Sequence, residues 1–168
     1  QMGLMTAAVC VVSPFAIPLP VSPVPLTLAP LIIYISVYIL GMKLATVSCV
    51  SYLILGAVGL PIFSSFSGGL GKLAGPTGGY LVGFIFLALI QGFLMKSRPG
   101  SSLAAVAGMI LGTAVCYIFG TVWLGVQSGL PFSAALSAGV IPYLPGDTVK
   151  IIAAAVLGPK LQAPVKRV

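Results

Sequence analysis

The sequence contains no histidine, and Asp147 is its only acidic residue. Metal centres are built mainly from His, Cys and carboxylate ligands, and most acid–base catalysis needs titratable groups in pairs or triads. This shortage excludes most metal sites, carboxylate pairs and Ser-His-Asp arrangements, so we expect no catalytic residues, metal or cofactor. Cys10, Cys49 and Cys116 lie far apart in apolar segments without CxxC spacing, which predicts buried, apolar roles for them.

Charged residues of both signs together make up only 5% of the 168 residues, whereas soluble domains contain about 25%. Hydrophobic residues make up 59%, and the mean hydropathy is +1.20. This composition predicts a polytopic, all-α protein of the lipid bilayer. The net charge of +7 comes from scattered basic residues with no patch interleaved with aromatics, so we exclude nucleic acid as a partner.

Proline, glycine and basic residues divide the sequence into six apolar segments, which predict a six-transmembrane-helix bundle in one domain of residues 1–168. The predicted spans are residues 3–17, 28–42, 44–60, 76–95, 103–127 and 145–161. The first is interpreted as a true span rather than a signal peptide, because it lacks a preceding basic residue and a clear cleavage site. Four prolines in residues 18–25 predict a stiff, extended connection between the first two spans. Pro76 is placed at the first helical position of its span. Residues 129–144 are interpreted as an interfacial or re-entrant helix.

The distribution of basic residues orients the predicted spans, because cytoplasmic loops are enriched in Lys and Arg. With a cytoplasmic N-terminus, only Lys72 falls in an outer loop. The predicted cytoplasmic ends hold Lys43, Lys96, Arg98, Lys160, Lys166 and Arg167. Both termini are therefore predicted to be cytoplasmic. The proline connection, the Gly-rich loop of residues 67–80 and the turn before Asp147 would then meet at the outer face.

Asp147 and Lys150 form the most informative pair of residues in the sequence. Positions i and i+3 share one face of a helix, and an acid before a base is the favourable order. An ionised group at membrane depth costs about 2.5 kcal/mol or more, which makes it a candidate functional site. The alternative interpretation is a pair that only neutralises itself or binds a lipid headgroup.

Small residues recur every four positions on several predicted spans, which lets membrane helices approach closely. Two such stripes comprise Gly75, Gly79, Gly83, Gly108, Gly112, Cys116 and Gly120. Gly3 and Ala7 form a shorter stripe that could face either the bundle or an outside partner. The Gly-rich loop lacks the GxxxxGK[ST] order of a phosphate-binding loop, so its glycines are interpreted as allowing close backbone approach to a ligand or helix.

Four motifs occur in order along nearly the whole chain. They are Val-Pro-Leu-Thr-Leu at 24–28, Leu-Gly-Ala-Val-Gly-Leu-Pro-Ile-Phe at 55–63, the Gly-rich block at 68–80, and Pro-Tyr-Leu-Pro-Gly-Asp at 142–147 followed by Lys150. With these motifs the sequence resembles the BioY family, the biotin-specific S components of energy-coupling factor (ECF) transporters. One departure is Ala29, where the family usually has Gln, so a polar contact near the first outer loop is missing or supplied elsewhere.

The resemblance implies the S-component fold in a bacterial or archaeal cell membrane, and biotin capture from outside. It also implies partners, namely a transmembrane T component and two cytoplasmic ATPases, with Gly3 and Ala7 on the surface that docks the T component. The substrate-binding residues that it implies are Thr27, Ser67, Gly69, Leu70, Gly71, Tyr80, Tyr143, Asp147 and Lys150. Two alternatives stay open: binding of another water-soluble vitamin or solute, and a less favoured membrane enzyme with Asp147 as base.

Overall fold

The chain folds into a helical bundle whose ends carry short loops, turns and one pair of two-residue strands. The computed structural model describes residues 1–20 and 22–165, with only the backbone for residues 163–165. The elements are α1 (Met2–Val12), β1 (Ala16–Ile17), β2 (Leu26–Thr27), α2 (Ala29–Ala57), α3 (Leu70–Ala74), α4 (Gly78–Ser97), α5 (Ser102–Ser128), α6 (Phe132–Gly139), a 3₁₀ turn (Ile141–Tyr143) and α7 (Leu144–Val165). The all-α class is confirmed; Lys166 and Arg167 lie outside the described residues.

The long element α2 contains two of the predicted spans, joined at Gly41. Gly41 has φ +74°, a value that glycine adopts without steric cost. On one side of it, the Tyr34 carbonyl accepts a hydrogen bond from Gln91 on α4; on the other, Cys49 Sγ lies 3.9 Å from the Phe84 carbonyl, two turns back along α4. The chain therefore reverses at Gly41, next to the predicted boundary at residues 42–44. Its two arms with α1, α4, α5 and α7 make six main helices.

Helices α4 and α5 pack closely through their small residues. A Cβ atom added at Gly83 would lie 2.7 Å from Cys116 Sγ, and one added at Gly108 would lie 2.8 Å from the Gln91 Cα. The glycine stripes are therefore packing surfaces within the bundle. Among the described residues, four helical segments are long and apolar enough to cross a membrane, namely Ala29–Ala57, Gly78–Ser97, Ser102–Ser128 and Phe132–Gln162.

Two of the helix boundaries that differ from the sequence predictions have a clear local cause. Helix α1 has 11 residues and ends at Val12, because Pro14 has no N–H to continue the helix, and the chain then enters β1. Helix α4 begins at Gly78 rather than Pro76, because a turn closed by the Gly78 N–H and the Gly75 carbonyl precedes it. The antiparallel pairing of β1 with β2, with Ala16 opposite Thr27, brings the two ends of the proline connection together.

Basic residues gather at one end of the bundle, beside the reversal at Gly41. Lys43, Lys96 and Arg98 surround one cavity, together with Pro159 and Gln162 near the end of α7. Helix α1 starts at this end, because Thr6 Oγ1 contacts Ser48 Oγ at 2.8 Å and Ser13 Oγ lies 2.5 Å from the Tyr52 hydroxyl further along α2. This end is called the basic end below.

Candidate substrate-binding site

At the opposite end of the bundle, a cavity of about 60 Å³ lies beneath the proline segment, defined here as residues 18–25. It is lined by Val24, Pro25, Leu26, Thr27, Pro30, Tyr34, Tyr80, Phe84, Leu87, Thr113, Cys116, Tyr117, Tyr143, Asp147 and Lys150. This volume accommodates a few water molecules, because one water needs about 10–15 Å³ on this measure. Its surface is mostly apolar, with a few convergent polar groups, which is typical of small-molecule sites.

The ion pair of α7 forms one wall of this cavity. Lys150 Nζ lies 2.7 Å from Asp147 Oδ1, and the two side chains are 6% and 12% exposed, respectively. The Tyr117 hydroxyl on α5 donates a hydrogen bond to the other carboxylate oxygen, Asp147 Oδ2. Asp147 is therefore held from two helices at once. Charge-assisted hydrogen bonds of this kind are among the stronger ones in proteins.

The floor and roof of the cavity are also fixed by tyrosines. The Tyr34 hydroxyl lies 2.5 Å from Thr113 Oγ1, which joins α2 to α5 below the ion pair. The Tyr143 hydroxyl forms hydrogen bonds with Ser22 Oγ and with the Val24 carbonyl, both in the proline segment. The roof over the cavity is therefore attached to the 3₁₀ turn that precedes α7.

Five of the nine substrate-binding residues predicted from the sequence line this cavity: Thr27, Tyr80, Tyr143, Asp147 and Lys150. Ser67, Gly69, Leu70 and Gly71 do not line it, and a role for them in binding stays a prediction. Trp123 also lies outside the cavity, with Nε1 donating to the Gly75 carbonyl at 2.9 Å.

The Gly-rich loop is packed onto the bundle beside the cavity. The Gly69 N–H donates to the Gly56 carbonyl at 2.7 Å, and Ser67 Oγ donates to the Ser64 carbonyl. Partial burial lowers the pKa of Lys72, because desolvation disfavours its charged form. Just before this loop, the Ser65 N–H donates to the Pro14 carbonyl, so the chain entering the loop and the chain leading to the proline segment meet at the same end.

The sequence interpretation missed Tyr117 and Tyr34. Both are tyrosines in the interior of long apolar helices, and a hydroxyl buried at that depth needs a hydrogen-bond partner. That requirement marks such tyrosines as polar contacts, although it does not say which side chains they meet. Ala29, where a glutamine is usual in the resembled family, is fully buried at the start of α2 and does not line the cavity.

The model of the BioY family matches residues 1–167 of this sequence. The chain belongs to the BioY family. Similar proteins include the biotin transporter BioY of Thermotoga maritima, 36% identical over 160 residues that cover 95% of this chain and 92% of the relative. The probable biotin transporter BioY of Pyrococcus horikoshii is 36% identical over 142 residues, covering 84% of this chain and 83% of that protein.

A solved structure has the same fold as this BioY chain. The crystal structure of the S-component for biotin from an ECF-type ABC transporter matches it with a TM-score of 0.89 and 28% sequence identity. The match covers 96% of this chain and 88% of that chain. This BioY protein is thus a multi-pass membrane protein with the S-component fold.

Proposed function

We propose that this BioY protein is the biotin-binding membrane subunit of an ECF transporter. The observation that carries the proposal is a buried ion pair in the wall of a mostly apolar cavity. Biotin combines an apolar bicycle with a polar ureido group at one end and a carboxylate at the other. The relatives named as biotin transporters and the matching S-component support the same assignment.

Lys150 is the proposed donor to the ligand. A lysine ammonium has three N–H donors, and the structure describes one bond from Lys150, to Asp147. Two donors are thus available to a carboxylate or a ureido oxygen. Asp147, which already receives bonds from Lys150 and Tyr117, keeps lone pairs that can accept from the ureido N–H groups. Tyr80, Phe84 and Leu87 on α4 would contact the bicycle.

Binding is tested by thermal shift of the purified protein with biotin, biotin amide and other water-soluble vitamins. A ligand stabilises the folded state by RT ln(1 + [L]/Kd), so a tight ligand raises the melting temperature clearly. We expect biotin to do so at low concentration. A larger shift with a different vitamin, and none with biotin, would assign the site to that solute instead.

The charge state of the ligand distinguishes two roles for Lys150. Lys150→Met keeps the apolar stem and removes the donor. If Lys150 binds the carboxylate, the variant should weaken biotin more than biotin amide. An equal loss for both ligands would place Lys150 at the ureido oxygen, and unchanged affinity for both would leave the ion pair with a purely structural role.

We further infer that both ends of the chain face the cytoplasm and that the cavity faces outside. Three basic residues at the basic end support this orientation, because Lys and Arg are enriched in cytoplasmic loops. Gly3 and Ala7 are both exposed on α1, whereas Thr6 and Val9 on the neighbouring face are buried against the bundle. The outward stripe of small residues is the proposed docking surface for a T component driven by two ATPases.

Co-purification with a T component and its ATPases tests the docking surface. The double variant Gly3→Leu with Ala7→Leu adds bulk where the structure has open space around Gly3, so the fold and biotin binding should be unchanged. Ala114→Leu, at an exposed position on α5, is the matched control and should co-purify normally. Normal co-purification of the double variant would contradict the assignment.

A further inference from the structure

A second and larger cavity, about 670 Å³, lies at the basic end. It is bounded by the reversal at Gly41, the end of α4, the turn between α4 and α5, and the last turns of α7. This volume is within the roughly 300–1,000 Å³ range of small-molecule sites, and several times that of the cavity beside Asp147. It has no part in the binding proposed above.

The charges around this second cavity have no acidic side chain to pair with. Lys43, Lys96 and Arg98 all line it. Asp147 is the only acidic residue of the sequence, and it is paired with Lys150 at the other cavity. Three cations around one opening repel each other, so an external anion bound between them is favoured.

The backbone adds to this preference for an anion. Ser101 and Ser102, at the start of the 27-residue helix α5, also line the cavity. The first N–H groups of a helix have no intrahelical acceptor, and the helix dipole favours negative charge there. The Ser101 side chain accepts a bond from the Ala104 N–H, and this first turn of α5 lines the same cavity as the three basic residues. Phosphate groups bind at such helix starts.

Much of the remaining wall is apolar. Val37, Leu40, Met95 and Ala105 line the cavity and are more buried than the three basic residues, which are exposed. A ligand that matches both parts has an anionic phosphate head and a hydrocarbon portion. Membrane phospholipids have this chemistry, and basic pockets between membrane helices bind anionic headgroups. We propose that this cavity binds one anionic phospholipid through its phosphate.

A matched comparison separates a specific site from general surface charge. Lys160 is exposed on α7 between Pro159 and Gln162, both of which line the cavity, but Lys160 itself does not. Lys160→Gln therefore removes one charge from the same end without removing a contact in the cavity. Lys96→Gln removes one charge from the cavity itself. General attraction to an anionic surface would make the two variants equal.

The experiment uses the full chain, freed of lipid in a neutral detergent, and follows its melting temperature as phosphatidylglycerol or phosphatidylcholine is added. Phosphatidylglycerol should stabilise the protein at lower concentration than phosphatidylcholine. Each cavity charge removed should raise the half-maximal concentration about fivefold, so that Lys43→Gln with Lys96→Gln and Arg98→Gln should raise it on the order of a hundredfold. Lys160→Gln should change it less than twofold.

Several results would overturn the proposal. They are equal effects of the two phospholipids, equal losses for Lys96→Gln and Lys160→Gln, or the same response to glycerol 3-phosphate, which has the phosphate but no hydrocarbon. A triple variant that binds lipid normally but loses association with a partner chain would assign the cavity to a protein. If the triple variant does not melt cooperatively without lipid, the single variants carry the test.

Discussion

Removing either partner of the buried ion pair should destabilise the empty protein strongly, whereas removing both should cost much less than the two losses combined. Two unit charges 2.7 Å apart attract by about 6 kcal/mol at an effective dielectric constant of about 20. Removing one partner leaves the other charge buried and unpaired, which typically costs about 3–5 kcal/mol. We therefore expect a loss of this size for Asp147→Asn and for Lys150→Met.

The double variant, Asp147→Asn with Lys150→Met, carries neither charge. The introduced asparagine amide can still accept the hydrogen bond from Tyr117, and the methionine side chain fills the space of the lysine stem. Its free energy of unfolding should therefore exceed the additive expectation by at least about 2 kcal/mol, within the range of couplings measured for contacting residues.

The assay is equilibrium unfolding by denaturant in neutral detergent, without biotin, for the parent, both single variants and the double variant. Thr148→Val, at an exposed position of the same helix turn, is the control and should stay within about 0.5 kcal/mol of the parent. Single-variant losses that add within about 0.5 kcal/mol in the double variant would refute the reasoning, because independent sites behave that way.

Three further predictions concern other parts of the molecule. Tyr117→Phe should weaken biotin by roughly ten- to a hundredfold in a direct affinity measurement, because Asp147 loses a hydrogen bond worth roughly 1.5–3 kcal/mol; unchanged affinity would contradict this. Gly83→Val should lower the free energy of unfolding by about 1–3 kcal/mol, because the added Cβ would lie 2.7 Å from a sulfur atom of α5. A denaturation midpoint equal to that of the parent would contradict this, because it would mean that α5 moves to make room for the valine. In a cysteine-free background, an impermeant thiol reagent added outside should label the Lys72→Cys variant and miss the Arg98→Cys variant; the reverse pattern would invert the orientation.

The sequence was sufficient for the ion pair and for most of the helices. Asp147 and Lys150 are three residues apart on one helix, so their contact follows from helix geometry alone. Lys43 separates two apolar runs of the sequence, which predicted a reversal of the chain near residues 41–44. The structure places this reversal at Gly41. Local spacing and hydropathy are enough for features of this kind, because they involve neighbours in the chain.

Features that depend on distant parts of the chain were not predictable in the same way. The contact of Tyr117 with Asp147 joins α5 to α7 across 30 residues, and no local pattern encodes it. The Gly-rich loop shows a similar limit, because its glycine content fits both a ligand contact and packing against the bundle. In the structure, Gly69 bonds to Gly56 and does not line the cavity. The pairing of β1 with β2 likewise could not be predicted from local sequence, because it depends on the fold.

The spacing of Asp147 and Lys150 on α7 also bears on how this helix enters the bilayer during synthesis. A helix inserts before its neighbours have packed, so a polar side chain whose partner lies on another helix would enter hydrocarbon alone, at a cost that reaches about 2.5–3.5 kcal/mol for one charge at the helix centre. Here the partner is three residues away, and the pair can close as soon as the first turns of α7 form. The helix can therefore insert into the membrane as a nearly neutral segment. The hydrogen bond from Tyr117 to Asp147 then forms when α5 and α7 pack together. A variant that keeps only Lys150 or only Asp147 would therefore lower the efficiency of membrane insertion before it affected ligand binding.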